Sequence, residues 1–172
     1  NRPRLCGDQH SHREIPCWTV TGSMPPTSIL PVGLVTEGLR LDVAFKGTVV
    51  EGELSGASIT GVDYLLVRHD GVSVIDAHER ITTPVGNIIA AHAQGYITAP
   101  FEMPPLQTLT DPDFQWPDVE LNLHGVLTMQ TAVPELSDLA HTMFGFTGTV
   151  NVATGVLRLH ARSLVAALAA AG

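Results

Sequence analysis

Between residues 61 and 81 the chain reads GVDYLLVRHDGVSVIDAHERI, two runs of β-forming residues on either side of an Asp70-Gly71 pair. Asp-Gly is the favoured centre of a type I′ turn, because both central residues need positive φ, so the stretch predicts a β-hairpin. A tight turn also fixes which residues face each other. With a two-residue turn, Val67 lies opposite Val74, Leu65 opposite Asp76, and Asp63 opposite His78. Side chains alternate along a strand, so Asp63, Leu65, Val67, Val74, Asp76, His78 and Arg80 then share one face. That face is apolar near the turn and ionisable at its far end, as a pocket wall would be. A slip of one residue would instead turn Tyr64, Arg68, Ser73 and Glu79 toward the interior.

The same period of two recurs along much of the chain. Leu39, Leu41, Val43 and Phe45 alternate with Arg40, Asp42, Ala44 and Lys46, the pattern of a half-buried strand. Residues 48–54, 87–98, 119–131, 143–152 and 155–163 continue it, punctuated by glycines that mark bulges and corners. Asp42, Glu51, Glu53 and Arg158 fall on the solvated side of these patterns. Five prolines between Pro100 and Pro117 exclude sheet there, since proline donates no ladder hydrogen bond. Phe101, Met103, Phe114 and Trp116 lie among them, so this long loop is expected to pack down, either as a functional lid or as a loop that merely covers one barrel end. Residues 134–139 open with proline and suit one short helix. Residues 164–171 suit a helical turn. Evenly spaced strands with glycine corners predict an all-β fold, a single antiparallel barrel of about eight to ten strands with at most one short helix. Residues 39–172 are assigned to the barrel. Residues 1–38 are assigned to an irregular arm wrapped outside it.

At 172 residues the chain suffices for one domain with a substantial core. A net charge of −8 with only nine Lys and Arg argues against nucleic acid as a partner. No apolar run reaches the roughly 20 residues of a membrane-spanning helix. Composition that is 44% hydrophobic and 15% charged favours a homodimer or higher homo-oligomer over a monomer. Cys6 and Cys17 with His10 and His12 offer zinc-type donors, but their spacing fits a disulfide or free thiols better than a structural metal site. The sequence opens at Asn1 without methionine, so a segment upstream is expected to have been removed or left out. Two thiols leave the compartment open, with the cytoplasm slightly favoured over secretion.

The run GELSGASITGVDYLLVRHDGVSVIDAHERI, followed by Gly86 and Gly95, resembles the domain-of-unknown-function family numbered 3237. The matching pieces are Thr60-Gly61-Val62-Asp63-Tyr64, the Asp70-Gly71 turn and Asp76-Ala77-His78-Glu79. The likeness continues more loosely from Leu39 through residues 144–148 to Leu164. Departures from the family pattern are Thr60 for a glycine, Tyr64 for tryptophan and His78 for arginine. The resemblance implies a small antiparallel barrel similar to allene oxide cyclase and lipocalin-like barrels, and it implies no reaction.

Chemistry is therefore read from the hairpin. Asp63 and His78 suit a carboxylate–imidazole pair able to move protons, the carboxylate fixing the tautomer. Arg80 suits an oxyanion, or an ion pair with Asp76. Tyr64 is a candidate acid. Leu65, Val67, His92, His124, Phe101 and Trp116 are expected to line the ligand space. His92, His124 and His160 are too scattered in sequence to assign a metal. Phosphate-loop, dinucleotide and nucleophile-elbow motifs are absent from the sequence. The expectation is a cofactor-independent isomerase or cyclase acting by acid/base chemistry on a hydrophobic, oxygenated small molecule of polyketide or phenolic type. The alternative is a lipocalin-like binding protein without turnover.

Overall fold

The computed structural model describes residues 6–7, 14–15 and 17–165. Two short strands, β1 (Cys6–Gly7) and β2 (Glu14–Ile15), pair with each other. The main sheet comprises β3 (Cys17–Ser23), β4 (Ile29–Val35), β5 (Gly38–Gly52), β6 (Ser58–Arg68), β7 (Ser73–Thr82), β8 (Ile88–Thr98), β9 (Leu121–Thr131), β10 (Phe144–Asn151) and β11 (Val156–Ser163). All its pairings are antiparallel. Strands β5 to β11 follow one another around the sheet, and β3 pairs with both β11 and β5. The result is a closed eight-stranded barrel, with β4 added outside the ring.

The length of β5 explains the extra strand. Its first half, Gly38 to Val43, pairs with β4, and its second half, Lys46 to Gly52, pairs with β3. Pro31 and Gly33 sit in β4, where the register shifts between them. An edge strand tolerates both because one of its sides needs no ladder partner.

The strand system thus begins at Cys17, earlier than the alternation near Leu39 indicates. Trp18 and Val20 are buried among the core residues, while Thr19 is half-buried and Thr21 exposed. This short period-two signal is flanked by Pro16 and Gly22, which disguise it. Cys17 is buried and disulfide-bonded, with no free thiol among the described residues. The zinc-type donors weighed at His10 and His12, and the tail beyond Val165, lie outside the described residues.

Among the described residues ahead of β11, helix is confined to short pieces at the barrel ends. Single turns form at α1 (Leu106–Leu109) and at Pro26–Ser28, and a 3-10 turn at Pro134–Leu136 leads into α2 (Ser137–Ala140). Leu54 and Ala57 from the β5–β6 connection, with Leu139 of α2, join the main core at one end. At the other end the proline-rich segment lies down on the wall. Leu106 packs with Leu39 and Val67, flanked by Met103, Leu109, Leu41 and Leu65. Phe101 and Trp116 pack against the main core. Burying such side chains stabilises by roughly 1.5–3 kcal/mol each, enough to hold a loop that lacks ladder bonds.

Candidate active site in the barrel lumen

The hairpin that anchors the sequence reading closes through three residues rather than two. Arg68 donates its backbone N–H to Val72 (2.9 Å), and Gly71 donates to Arg68 (3.0 Å). Gly71 holds φ +85°, which a side chain would strain. Asp70 accepts a bond from the Val72 N–H at 3.1 Å and pairs with the Arg68 guanidinium. A turn of three residues ending in a left-handed glycine is the next commonest hairpin solution after the two-residue turn. It moves β7 by one residue against β6. Asp63 now faces Ala77, Val62 faces His78, and Gly61 faces Glu79.

One residue of shift exchanges the two faces of β7. Asp63, Leu65 and Val67 keep their inward direction, with Val67 buried. Asp76, His78 and Arg80 turn outward, and His78 and Arg80 are exposed. The expected Asp63–His78 pair is therefore not formed, and Arg80 does not reach the lumen. Tyr64 also points out, 37% exposed, with the Arg40 guanidinium 5.3 Å from its ring centre. His92 and His124 lie on the outer face of β8 and β9, cross-strand to Thr128 and Tyr96. Leu65, Phe101 and Trp116 pack against the core, but neither they nor Val67 borders the cavity in the lumen.

The lumen contains a cavity lined mainly by apolar side chains, among them Trp18, Phe45, Ile75, Leu127 and Phe146. It offers ≈ 90 Å³ to the centres of water-sized molecules, several times the roughly 10–15 Å³ that one water needs on that measure. Two acidic side chains border it, Asp63 and Glu79. Lys46 borders it as well and is itself exposed. Asp63 and Glu79 are diagonal neighbours on the inner face, a relation that brings Cα atoms to about 7–8 Å.

Local structure places both carboxylates. Ladder pairing between β6 and β7 is interrupted between Asp63/Ala77 and Leu66/Val74. In that gap the Asp76 N–H donates to Asp63 Oδ1 at 2.9 Å, so the side chain takes the role of a strand carbonyl. Glu79 stands opposite Gly61, and Phe45 is cross-strand to that glycine. A Cβ at Gly61 would come within 2.6 Å of the Phe45 ring and 2.7 Å of the His78 carbonyl. The missing side chain lets the Phe45 ring lie against the Gly61 backbone.

Burial in this apolar space raises both acids. Desolvation pushes Asp63 up to about 6, with a further rise from Asp76, against the bond from the Asp76 backbone and the Arg40 charge. Desolvation and the Asp63 charge push Glu79 up to about 7. Such a pair takes up and releases protons close to neutrality as a coupled unit. Glu79 was visible in sequence only through the slipped register, which also turned Ser73 inward, as observed. It wrongly turned Tyr64 and Arg68 in too, because only β7 moves.

A family model of proteins of unknown function, DUF3237, matches residues 14–160. The chain belongs to this family. No curated protein matches the sequence. Among solved structures, a similar fold appears in a protein with unknown function from Clostridium acetobutylicum ATCC 824, with TM-score 0.68 at 18% identity over 86% of this chain and 96% of that one. A conserved protein of unknown function from Rhodopseudomonas palustris gives TM-score 0.63 at 17% identity over 88% and 99%. A beta-barrel like protein from Acinetobacter baumannii AYE gives 0.63 at 18% over 90% and 99%. These likenesses establish the DUF3237 chain as a barrel and go no further.

Proposed function

We propose that this DUF3237 protein is a cofactor-independent isomerase or cyclase whose acid/base pair is Asp63 and Glu79, acting on a compact, hydrophobic, oxygenated small molecule in the lumen. The observation that carries the reading is two carboxylates, diagonal neighbours across the strands, on the wall of a mainly apolar cavity. Asp63 serves the wall by accepting the Asp76 N–H, but a barrel packed for stability alone has no use for a second carboxylate at Glu79, since burying an acid is costly. Asp63, the more readily ionised of the two, serves as base and takes a proton from a carbon next to a carbonyl. Glu79, raised by burial to about 7 so that it still carries a proton in part near neutrality, donates to the developing enolate oxygen or to a second carbon. The substrate loses one proton and gains one, so no oxidant or reductant enters. Acidic walls disfavour anionic ligands and suit neutral ones.

The apolar lining equally suits a carrier, which would bind the same class of molecule and release it unchanged. Incubation of hydrophobic ketones and enols with the protein in D₂O separates the readings. Deuterium incorporation at the α-carbon, followed by NMR, is expected for the enzyme, and Asp63→Asn and Glu79→Gln should each slow it about a hundredfold or more. Exchange that is unaltered in both variants contradicts the assignment. Tight binding without exchange supports the carrier.

A further inference from the structure

The outer wall behind the lumen carries a second cluster. Asp76, His78 and His92 come together because His78 and His92 are direct cross-strand partners on β7 and β8, with Asp76 two residues before His78. The two imidazole rings stack, centroids 4.4 Å apart at 15°. Asp76 Oδ1 lies 2.7 Å from His92 Nε2 and 3.7 Å from His78 Nε2. One ligating atom from each residue falls within 4.8 Å of the other two. Ligands held tetrahedrally by one ion at about 2.0–2.2 Å stand about 3.3–3.6 Å from one another, and the two Asp76 distances, 2.7 and 3.7 Å, bracket that spacing.

The surroundings leave this carboxylate to the histidines. Arg40 pairs with Asp42 and lies over Tyr64, while Arg68 pairs with Asp70 and lies near Tyr96. Among the described residues the ion-pair partners of Asp76 are His78 and His92 alone. Its backbone is pinned by the bond to Asp63, so the carboxylate starts from a fixed strand position. His124 and His160 lie elsewhere on the wall, against Tyr96 and Thr19, and do not join the group.

We propose that Asp76, His78 and His92 bind a divalent transition-metal ion of the zinc class on the outer wall, with three protein ligands and the remaining positions open to water or an exogenous donor. Two imidazoles and one carboxylate select such ions over magnesium or calcium, which prefer all-oxygen sites. Three ligands with an open position characterise exchangeable rather than purely structural zinc. The proposal departs from the sequence expectation of no metal and is independent of the lumen reading.

The test uses the full chain, stripped with chelator and without an affinity tag, titrated with Zn²⁺ by calorimetry and with Co²⁺ by visible absorption. One equivalent of each ion is expected, with a cobalt d–d spectrum shared by imidazole and carboxylate ligands. His78→Gln and His92→Gln should each weaken binding tenfold or more, since even supporting residues of a metal site cost about 10–100-fold. His124→Gln and the pair His10→Gln/His12→Gln should leave it unchanged. His78 is exposed, so its variant preserves the fold, and far-UV circular dichroism checks this for each. Absence of binding, or binding that survives loss of both His78 and His92, overturns the proposal.

Discussion

Glu79 and His78 are adjacent in sequence and face opposite sides of the same wall, so they make opposite predictions. Glu79→Gln removes a carboxylate whose ionisation the folded state opposes. A group raised in the fold binds its proton there more tightly than in the unfolded chain, so it erodes stability as pH rises between its unfolded and folded values. Denaturant unfolding of chelator-treated protein should therefore show Glu79→Gln gaining stability over the parent at pH 8, with the gain shrinking toward pH 4. Equal differences at both pH values would contradict the buried-acid reading. His78→Gln, in contrast, should leave ligand binding and exchange in the lumen within twofold of the parent, measured on the same metal-free protein. A hundredfold fall would restore the Asp63–His78 pairing that the three-residue turn excludes. Gly61→Ala should destabilise by about 1–3 kcal/mol, because the new methyl meets the Phe45 ring and the His78 carbonyl. It should also disturb the lumen, and thermal melts with ligand titration would register both effects.

Elements were legible where periodicity was long and uninterrupted. The runs that became β5 to β11 announced themselves by alternation, glycine corners and the Asp-Gly turn, and the short helix after Val133 by its proline. β3 and β4 were hidden because seven-residue strands beside Pro16, Pro31 and Gly33 carry too little pattern to outweigh their breakers. The site was half legible for a sharper reason. Asp63 was placed correctly, but the choice between two and three residues at His69-Asp70-Gly71 rests on backbone angles that an Asp-Gly pair serves either way. That single residue decided whether His78 or Glu79 met the lumen. The proline-rich connection was read as a loop that packs down, and Leu106 is the side chain that fixes it. Leu106→Ala should cost about 2–5 kcal/mol and raise the rate of ligand exchange with the lumen. Unchanged melting temperature and unchanged ligand off-rate would show that the segment does not cover the site.

At the scale of the whole molecule, the barrel separates two polar sites by one strand's thickness, a lumen with paired carboxylates and an outer wall with paired histidines. Its outside edge is apolar along β4, where Leu30 and Val32 are 66% and 61% exposed. Such an edge is expected to favour self-association, and light scattering should give a mass above 18.3 kDa, with Val32→Lys reducing it. The central claim, however, is that the fold holds a proton between Asp63 and Glu79 near neutral pH. Carbon-13 NMR titration of the Glu79 side-chain carboxyl in chelator-treated protein tests it most directly. A midpoint near 7 is expected, moving down in Asp63→Asn as the neighbouring charge is lost. A midpoint close to the ordinary glutamate value, unmoved by Asp63→Asn, would contradict it.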